Sequence, residues 1–406
     1  MYASSGRTYT AIPGPSVIPD RVLNAMHRAS PDIYSTELRD LTSGLIDDLK
    51  GLVRTKGEAA IYIANGHGAW EASVSNLFSR GDTVLVLETG LFANGWGGFA
   101  SALGVNVETI DFGMRSDVDC ERLAETLKQD SDGRIKAVLT VHVDTASSVR
   151  NDITAISKAI QAAGHPALLL VDCIASLACD DFQMDEWGAD VVLAASQKGL
   201  MLAPGLAFVF FNQRALQAGR SADLRTPYWD WQRRVDPDEF YQRFCGTAPT
   251  SLLFGLHESL QMLIHEEGLA SVFERHERLA RAIWSAVGMW GQGGPLEFNI
   301  PDPSKRSHAV TAIRAGPPYG SKLRDWVSRN AGLNLGIGLG MSTPEDSEAT
   351  GSFRIGHMGH INPHMILGAL ASIEAGFEAI GYRRGRGALE AAAAECGLKD
   401  SGQPLA

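Results

Sequence analysis

The sequence predicts an α/β protein: a large domain with a mostly parallel sheet, followed by a smaller α+β C-terminal domain. Two observations carry that expectation. Short runs rich in Val, Ile and Leu recur with helical stretches between them, and they show little polar alternation, the pattern of strands buried on both faces. After about residue 212 the rhythm changes to long helical patterns with fewer strands. Alternation of the first kind builds parallel neighbours joined by crossovers.

In chain order, the first six candidate strands are Ala60 to Asn65, Thr83 to Glu88, Ile135 to Val143, Ala167 to Cys173, Val191 to Ser196 and Leu206 to Phe211. Helical stretches between them include Ala69 to Phe78, Cys120 to Gln129 and Asp152 to Ala163, the last with Asn151 or Asp152 as N-cap. Tyr228, Trp229, Trp231, Tyr241 and Phe244 then mark an aromatic segment without clear period. Helices are expected over Ser251 to Glu267, Leu269 to Trp290, Ser321 to Asn330 and His364 to Ile380. Strands are expected over Ala309 to Ala315, Leu333 to Leu339 and Ser352 to Met358. This divides the chain into an N-terminal segment (1–20), a large domain (21–268), a small domain (269–382) and a tail (383–406), the tail being a last helix or frayed.

The 406 residues carry 36 Lys and Arg against 47 Asp and Glu, a net charge of −11, which argues against a general nucleic-acid binder. With 45% hydrophobic and 20% charged residues the chain is globular rather than disordered. No stretch approaches the run of about 18 apolar residues that a membrane span needs. Met1 to Thr10 is polar and lacks the apolar core of a secretory signal. The five cysteines (Cys120, Cys173, Cys179, Cys245, Cys396) are odd in number and unclustered, with no His pair to complete a zinc site, so no metal is expected. Free thiols fit a reducing cytoplasm.

Lys198, in Ser196-Gln197-Lys198-Gly199, comes directly after an uncharged buried strand. Alone it reads as an exposed loop residue. Desolvated surroundings disfavour an ammonium, however, and such a lysine is a nucleophilic amine able to form a Schiff base. Asp172 ends the apolar run Ala167-Leu168-Leu169-Leu170-Val171, where a carboxylate is costly without a cationic partner. A protonated pyridine nitrogen is such a partner, and pyridoxal phosphate (PLP) chemistry requires one. Alone, Asp172 reads better as a turn cap in water, but a lysine 26 residues later, one strand further on, makes the pair more informative. Asn65-Gly66-His67-Gly68 lies at a strand-to-helix junction whose free N–H groups suit a phosphate. It lacks both P-loop and Rossmann spacing, and an ordinary βα turn accounts for it equally. Phe92 falls just past a strand, where it packs in the core or stacks on a cofactor ring. Arg354 sits mid-strand in Phe353-Arg354-Ile355, where a buried guanidinium needs a carboxylate from substrate or from the protein.

From Asp172 to Lys198 the sequence resembles class V aminotransferases, fold-type-I PLP enzymes, and in particular their alanine–glyoxylate and serine–glyoxylate branch. The resemblance runs from Ile12-Pro13-Gly14-Pro15-Ser16 to Arg354-Ile355-Gly356-His357-Met358-Gly359. Its most specific stretches are Asn65 to Glu71, Val171-Asp172, Met184-Asp185-Glu186-Trp187-Gly188 and Ser196 to Gly199. It implies a seven-stranded large-domain sheet, PLP as cofactor, and a homodimer with shared sites. The implied activity is transfer of an amino group from a small L-amino acid to a 2-oxo acid, with glyoxylate as acceptor. Lys198 would join the cofactor and later move the proton, Asp172 would hold the pyridinium, and Phe92 would stack on the ring. Gly66 and His67 backbone amides, with Gln197, would hold the phosphate. Thr145 would lie near the phenolic oxygen, Thr247 would reach the neighbouring subunit's phosphate, and Arg354 would clamp the substrate carboxylate.

Three positions depart from the family pattern. Phe244 stands where a Tyr is usual, Phe92 where Trp or Tyr is common, and Arg28-Ala29-Ser30-Pro31 where glyoxylate enzymes often read His-Arg-x-Pro. Phe244 leaves a pyridoxamine–pyruvate aminotransferase activity as an alternative. A cysteine desulfurase ranks lower, because Gln197 rather than His precedes Lys198 and no Cys lies in 320–350. A non-catalytic scaffold needs neither Lys198 nor Asp172.

Overall fold

The protein is described here by a computed structural model covering residues 6–397. Its strands are β1 (Tyr9–Ala11), β2 (Glu58–Ala64), β3 (Thr83–Glu88), β4 (Asn106–Asp111), β5 (Ile135–Val141), β6 (Leu168–Asp172), β7 (Val191–Ala195) and β8 (Gly205–Phe211), then β9 (Glu297–Phe298), β10 (Val310–Arg314), β11 (Leu333–Ile337) and β12 (Ser352–Gly356). Seven of them form one sheet in the order β2-β8-β7-β6-β5-β3-β4. It is parallel apart from β8, which runs antiparallel to both β2 and β7. The fold is that of a fold-type-I PLP enzyme, as expected.

The apolar runs became strands because both faces of this sheet are covered. Side chains alternate between the faces: Leu169, Val171, Val192 and Ala194 enter one core, while Leu168, Leu170, Val191 and Leu193 enter the other. Each leucine fully buried in this way contributes about 1.5–3 kcal/mol relative to exposure. β4 escaped the sequence reading because it is an edge strand with Ile110 as its one buried residue. The helix after β2 begins at Gly66, earlier than the pattern from Ala69 indicated, because the Asn65 side chain caps it.

The second sheet has the order β1-β11-β12-β10-β9 and packs on helices 269–291, 319–331, 363–379 and 388–396. The N-terminal segment, expected to stand apart, gives β1 to this sheet, pairing in parallel with β11. In the expected tail, helix 388–396 buries Ala388 and Ala392 in the small-lobe core. Residues 398–406 of that tail lie outside the described residues. Helix 269–291 begins where the small domain was expected to start, and its packing spans both lobes: Val272 enters the large core and Leu279 onward the small one. Between the lobes, buried Asp180 accepts from His308 Nδ1 at 3.0 Å, Arg150 Nη1 at 3.5 Å and Ser307 Oγ at 3.4 Å.

The chain leaves β3 for a helix on one face (91–102) and leaves β5 for a helix on the other (153–162). The connections diverge at the carboxyl ends of these neighbouring strands, which opens a crevice there. β2, antiparallel to the antiparallel β8, ends at the same edge.

Candidate active site

A cavity of about 140 Å³ lies in that crevice. Its walls come from the residues following β2 (Asn65, Gly66, His67, Trp70), β3 (Phe92), β5 (Val143, Thr145), β6 (Asp172, Ile174) and β7 (Gln197, Lys198). Of the site residues picked out in the sequence, Gly66, His67, Phe92, Thr145, Asp172, Gln197 and Lys198 all meet here.

Lys198 Nζ donates a short hydrogen bond to the Pro13 carbonyl. The loop that supplies it is pinned over the lysine turn, with Ser16 N donating to the Gln197 carbonyl (2.9 Å) and Ser16 Oγ to the Lys198 carbonyl (2.7 Å). Gly14 has φ +90°, and a Cβ there would lie 2.5 Å from Lys198 Cδ, so the loop closes this tightly because it has no side chain at that point. Burial, with the Arg354 charge adding to it, lowers the Lys198 pKa to about 8 against the pull of Asp172. The amine is therefore partly neutral near physiological pH, as a proton carrier must be.

Asp172, at the end of β6, is 3% exposed. Its Oδ1 accepts from Ile174 N and its Oδ2 from Trp70 Nε1, both at 2.7 Å. Burial raises its pKa to about 6, and these two donors oppose the rise. β6 and β7 are adjacent, which brings Asp172 and Lys198 to one cavity.

Asp144, just past β5, is fully buried, and its carboxylate accepts from Phe92 N and Ala146 N at 2.8 Å each. A Cβ on Gly90 would lie 2.3 Å from Asp144 Cγ, so this approach requires glycine. The carboxylate thereby anchors the start of helix 91–102 and with it Phe92. Arg354 lies opposite on β12, 5% exposed, donating from Nη1 to the Thr145 carbonyl and from Nε to the Ile337 carbonyl, both 2.6 Å. The Asp144 charge acts on this guanidinium against the effect of burial, but the hydrogen bonds it makes go to backbone carbonyls. Burial lowers its pKa to about 10.

The phosphate end differs from expectation in one respect. The His67 amide donates to Asn65 Oδ1 at 3.1 Å, so the cap already engages it. The His67 ring packs on Trp70 and Phe99 with centroids 4.5 and 5.6 Å apart. Thr247 is exposed and does not line this chain's cavity. Phe244 is buried in the large core against Phe240, away from the cavity wall. Trp70 and Asp144 were not singled out from sequence. Their roles arise from contacts with Asp172 and Phe92, remote in the chain.

The donor set fits pyridoxal phosphate: a desolvated amine, a buried carboxylate, and an aromatic side chain line one cavity. Gln197 Oε1, in the same wall, is buried with no protein partner. Fold and site together define a PLP-dependent transferase.

A model of the aminotransferase class-V family matches residues 9–316, and the chain belongs to that family. It is 39% identical over 378 residues to a serine–glyoxylate aminotransferase of Methylorubrum extorquens, covering 91% of this chain and 90% of that one. It is 33% identical over 367 residues to an L-aspartate–glyoxylate aminotransferase of Paracoccus denitrificans, covering 89% of each. Among solved structures, a ureidoglycine–glyoxylate aminotransferase of Bacillus subtilis is similar with a TM-score of 0.85 at 24% identity, covering 97% of this chain and 98% of that one. The protein is a PLP-dependent aminotransferase. No helix among the described residues is long and apolar enough to cross a membrane.

Proposed function

We propose that the protein transfers the amino group of a small L-amino acid to glyoxylate. The observation that carries this reading is the juxtaposition of Lys198 and Asp172 in one cavity, with Arg354, though not part of the cavity wall, near enough for its charge to act on Lys198 and held by the carbonyl of Thr145, which does line it. The acceptor is supported by the names of the relatives, three of which are glyoxylate aminotransferases.

Bound here, pyridoxal phosphate supplies an aldehyde carbon for the substrate nitrogen and a pyridinium ring that takes up the electron pair left by the α-proton. With the substrate nitrogen on the aldehyde carbon, the free Lys198 Nζ would accept that proton from Cα and deliver it to the former aldehyde carbon, two bonds away across the nitrogen. Asp172 keeps the ring nitrogen protonated by remaining ionised beside it. The planar fork of Arg354 orients the substrate α-carboxylate, which donor and acceptor share. Phe92 offers its face to the ring, Thr145 its hydroxyl to the phenolic oxygen, and Gln197 with the Gly66 and His67 amides cradles the phosphate, the His67 amide exchanging its Asn65 partner. Thr247, exposed on this chain, would serve the neighbouring subunit of a homodimer. The five cysteines are all free, which suits a cytoplasmic enzyme.

Assaying serine, alanine and aspartate against glyoxylate and pyruvate tests the reading. Parallel double-reciprocal lines with glyoxylate are expected. Turnover with free pyridoxamine and pyruvate alone would replace it with the alternative activity, and sedimentation of the holoenzyme as a monomer would remove Thr247.

A further inference from the structure

We infer that Trp70 is a positioning residue for transamination: its indole N–H fixes the Asp172 carboxylate so that its free lone pairs face the ring nitrogen. This rests on the reading of Asp172 as that nitrogen's partner.

The 2.7 Å bond from Nε1 to Oδ2 joins two buried groups, Trp70 at 2% and Asp172 at 3% exposure. With Ile174 N on Oδ1, each carboxylate oxygen holds one donor, and the two donors come from different elements, helix 66–77 and the turn after β6. Two such donors set the plane of the carboxylate and prevent its rotation. Both residues line the cavity, so the carboxylate's remaining acceptor capacity is available to a group bound there.

Filling space does not require this bond. Trp96 and Trp290 are equally buried, and their indole nitrogens have no protein partner. Trp70 also meets Phe92 edge-on (6.3 Å, 62°) and packs against His67 (4.5 Å). One side chain thus connects the group proposed to hold the ring nitrogen, the face proposed to stack on the ring, and the turn proposed to hold the phosphate. A donor bonded to the charged form also opposes the upward push that burial exerts on Asp172.

Trp70→Phe keeps an aromatic side chain and deletes the donor. In cofactor-free protein, the infrared band of the neutral Asp172 carboxyl, identified by its loss in Asp172→Asn, should titrate with a midpoint about one pH unit higher in Trp70→Phe. In the holoenzyme, kcat should fall about tenfold while KM for the amino donor stays within about twofold. Benzothienylalanine at position 70, with the bicyclic shape and no N–H, should reproduce both changes and serves where Trp70→Phe folds poorly. An unmoved midpoint overturns the inference, and so does a moved midpoint with unchanged kcat. If Asp172→Asn itself leaves turnover intact, the reading of Asp172 is what fails, and the role of Trp70 falls with it.

Discussion

Arg354 of the small lobe hydrogen-bonds the backbone carbonyl of Thr145 in the large lobe, 2.6 Å from Nη1 to oxygen. The guanidinium is thus oriented by two carbonyls, neither of which neutralises it. If Arg354 binds the substrate carboxylate as proposed, the cation is oriented by the fold before the ligand arrives.

Arg354→Lys keeps the charge and loses the planar fork. The expected result is a fall in kcat/KM of about ten- to more than a hundredfold for both amino donor and 2-oxo acid, the worth of a charge-assisted hydrogen bond of about 1.5–3 kcal/mol. Steady-state kinetics with both substrates, alongside the melting temperature, provide the check. A lowered melting temperature with unchanged kcat/KM would make Arg354 a structural tie between the lobes.

Lys198→Ala should abolish turnover and the visible absorption of the lysine-bound cofactor while the protein stays folded. The amine is the one lysine lining the cavity among the described residues. Turnover above trace level would remove it from the reaction.

Asp172→Asn should leave the cofactor bound and slow α-proton removal by orders of magnitude, read by single-turnover absorbance, since an amide cannot hold the ring nitrogen's charge.

The same substitution has a signature in the cofactor-free protein. Burial raises the Asp172 pKa to about 6 from 3.8, so between those values the native state holds a proton that the unfolded chain has released. Stability contributed by the protonated form is complete below pH 4 and is lost as pH rises through about 6. From pH 4 to 7 the parent should lose on the order of 3 kcal/mol relative to Asp172→Asn, measured by urea unfolding. A pH-independent difference would contradict the desolvated carboxylate.

Asp180→Asn tests the tie between the lobes. Burial alone would raise the Asp180 pKa, but His308 and Arg150 hold it well below the usual carboxylate range. The stability this supplies is present above the unfolded value near 4 and lost as pH falls. Removing the charge leaves Arg150 and His308 facing a neutral amide, and a loss of about 3–5 kcal/mol at pH 7 is expected. A melting temperature equal to the parent's would show that the tie contributes nothing.

The central strands were readable because β6 and β7 are unbroken apolar runs, and burial on both faces leaves no other use for Leu168 to Val171 or Val191 to Ala195. Asp172 and Lys198 were readable for the same reason, as the first charges after each run. β4 was not, because an edge strand with polar neighbours carries no such pattern. Asp144 and Trp70 were hidden differently: each is defined by a partner remote in the chain, and no local spacing records that. Gly14 was visible as part of a motif, but the contact that requires glycine there appears only when Lys198 is folded beneath it.

The pairing of β1 with β11 sets an order of events during biosynthesis. Residues 9–11 leave the ribosome long before 333–337, with which they pair. The large sheet has all its strands by residue 211 and is free to fold before then. The loop over Lys198 has no such freedom, because β1, which leads into it, waits for β11 at 333–337. A chain interrupted in the small lobe would therefore present a formed crevice with its lysine uncovered. Covering of the lysine thus waits for synthesis to reach the small lobe's β11.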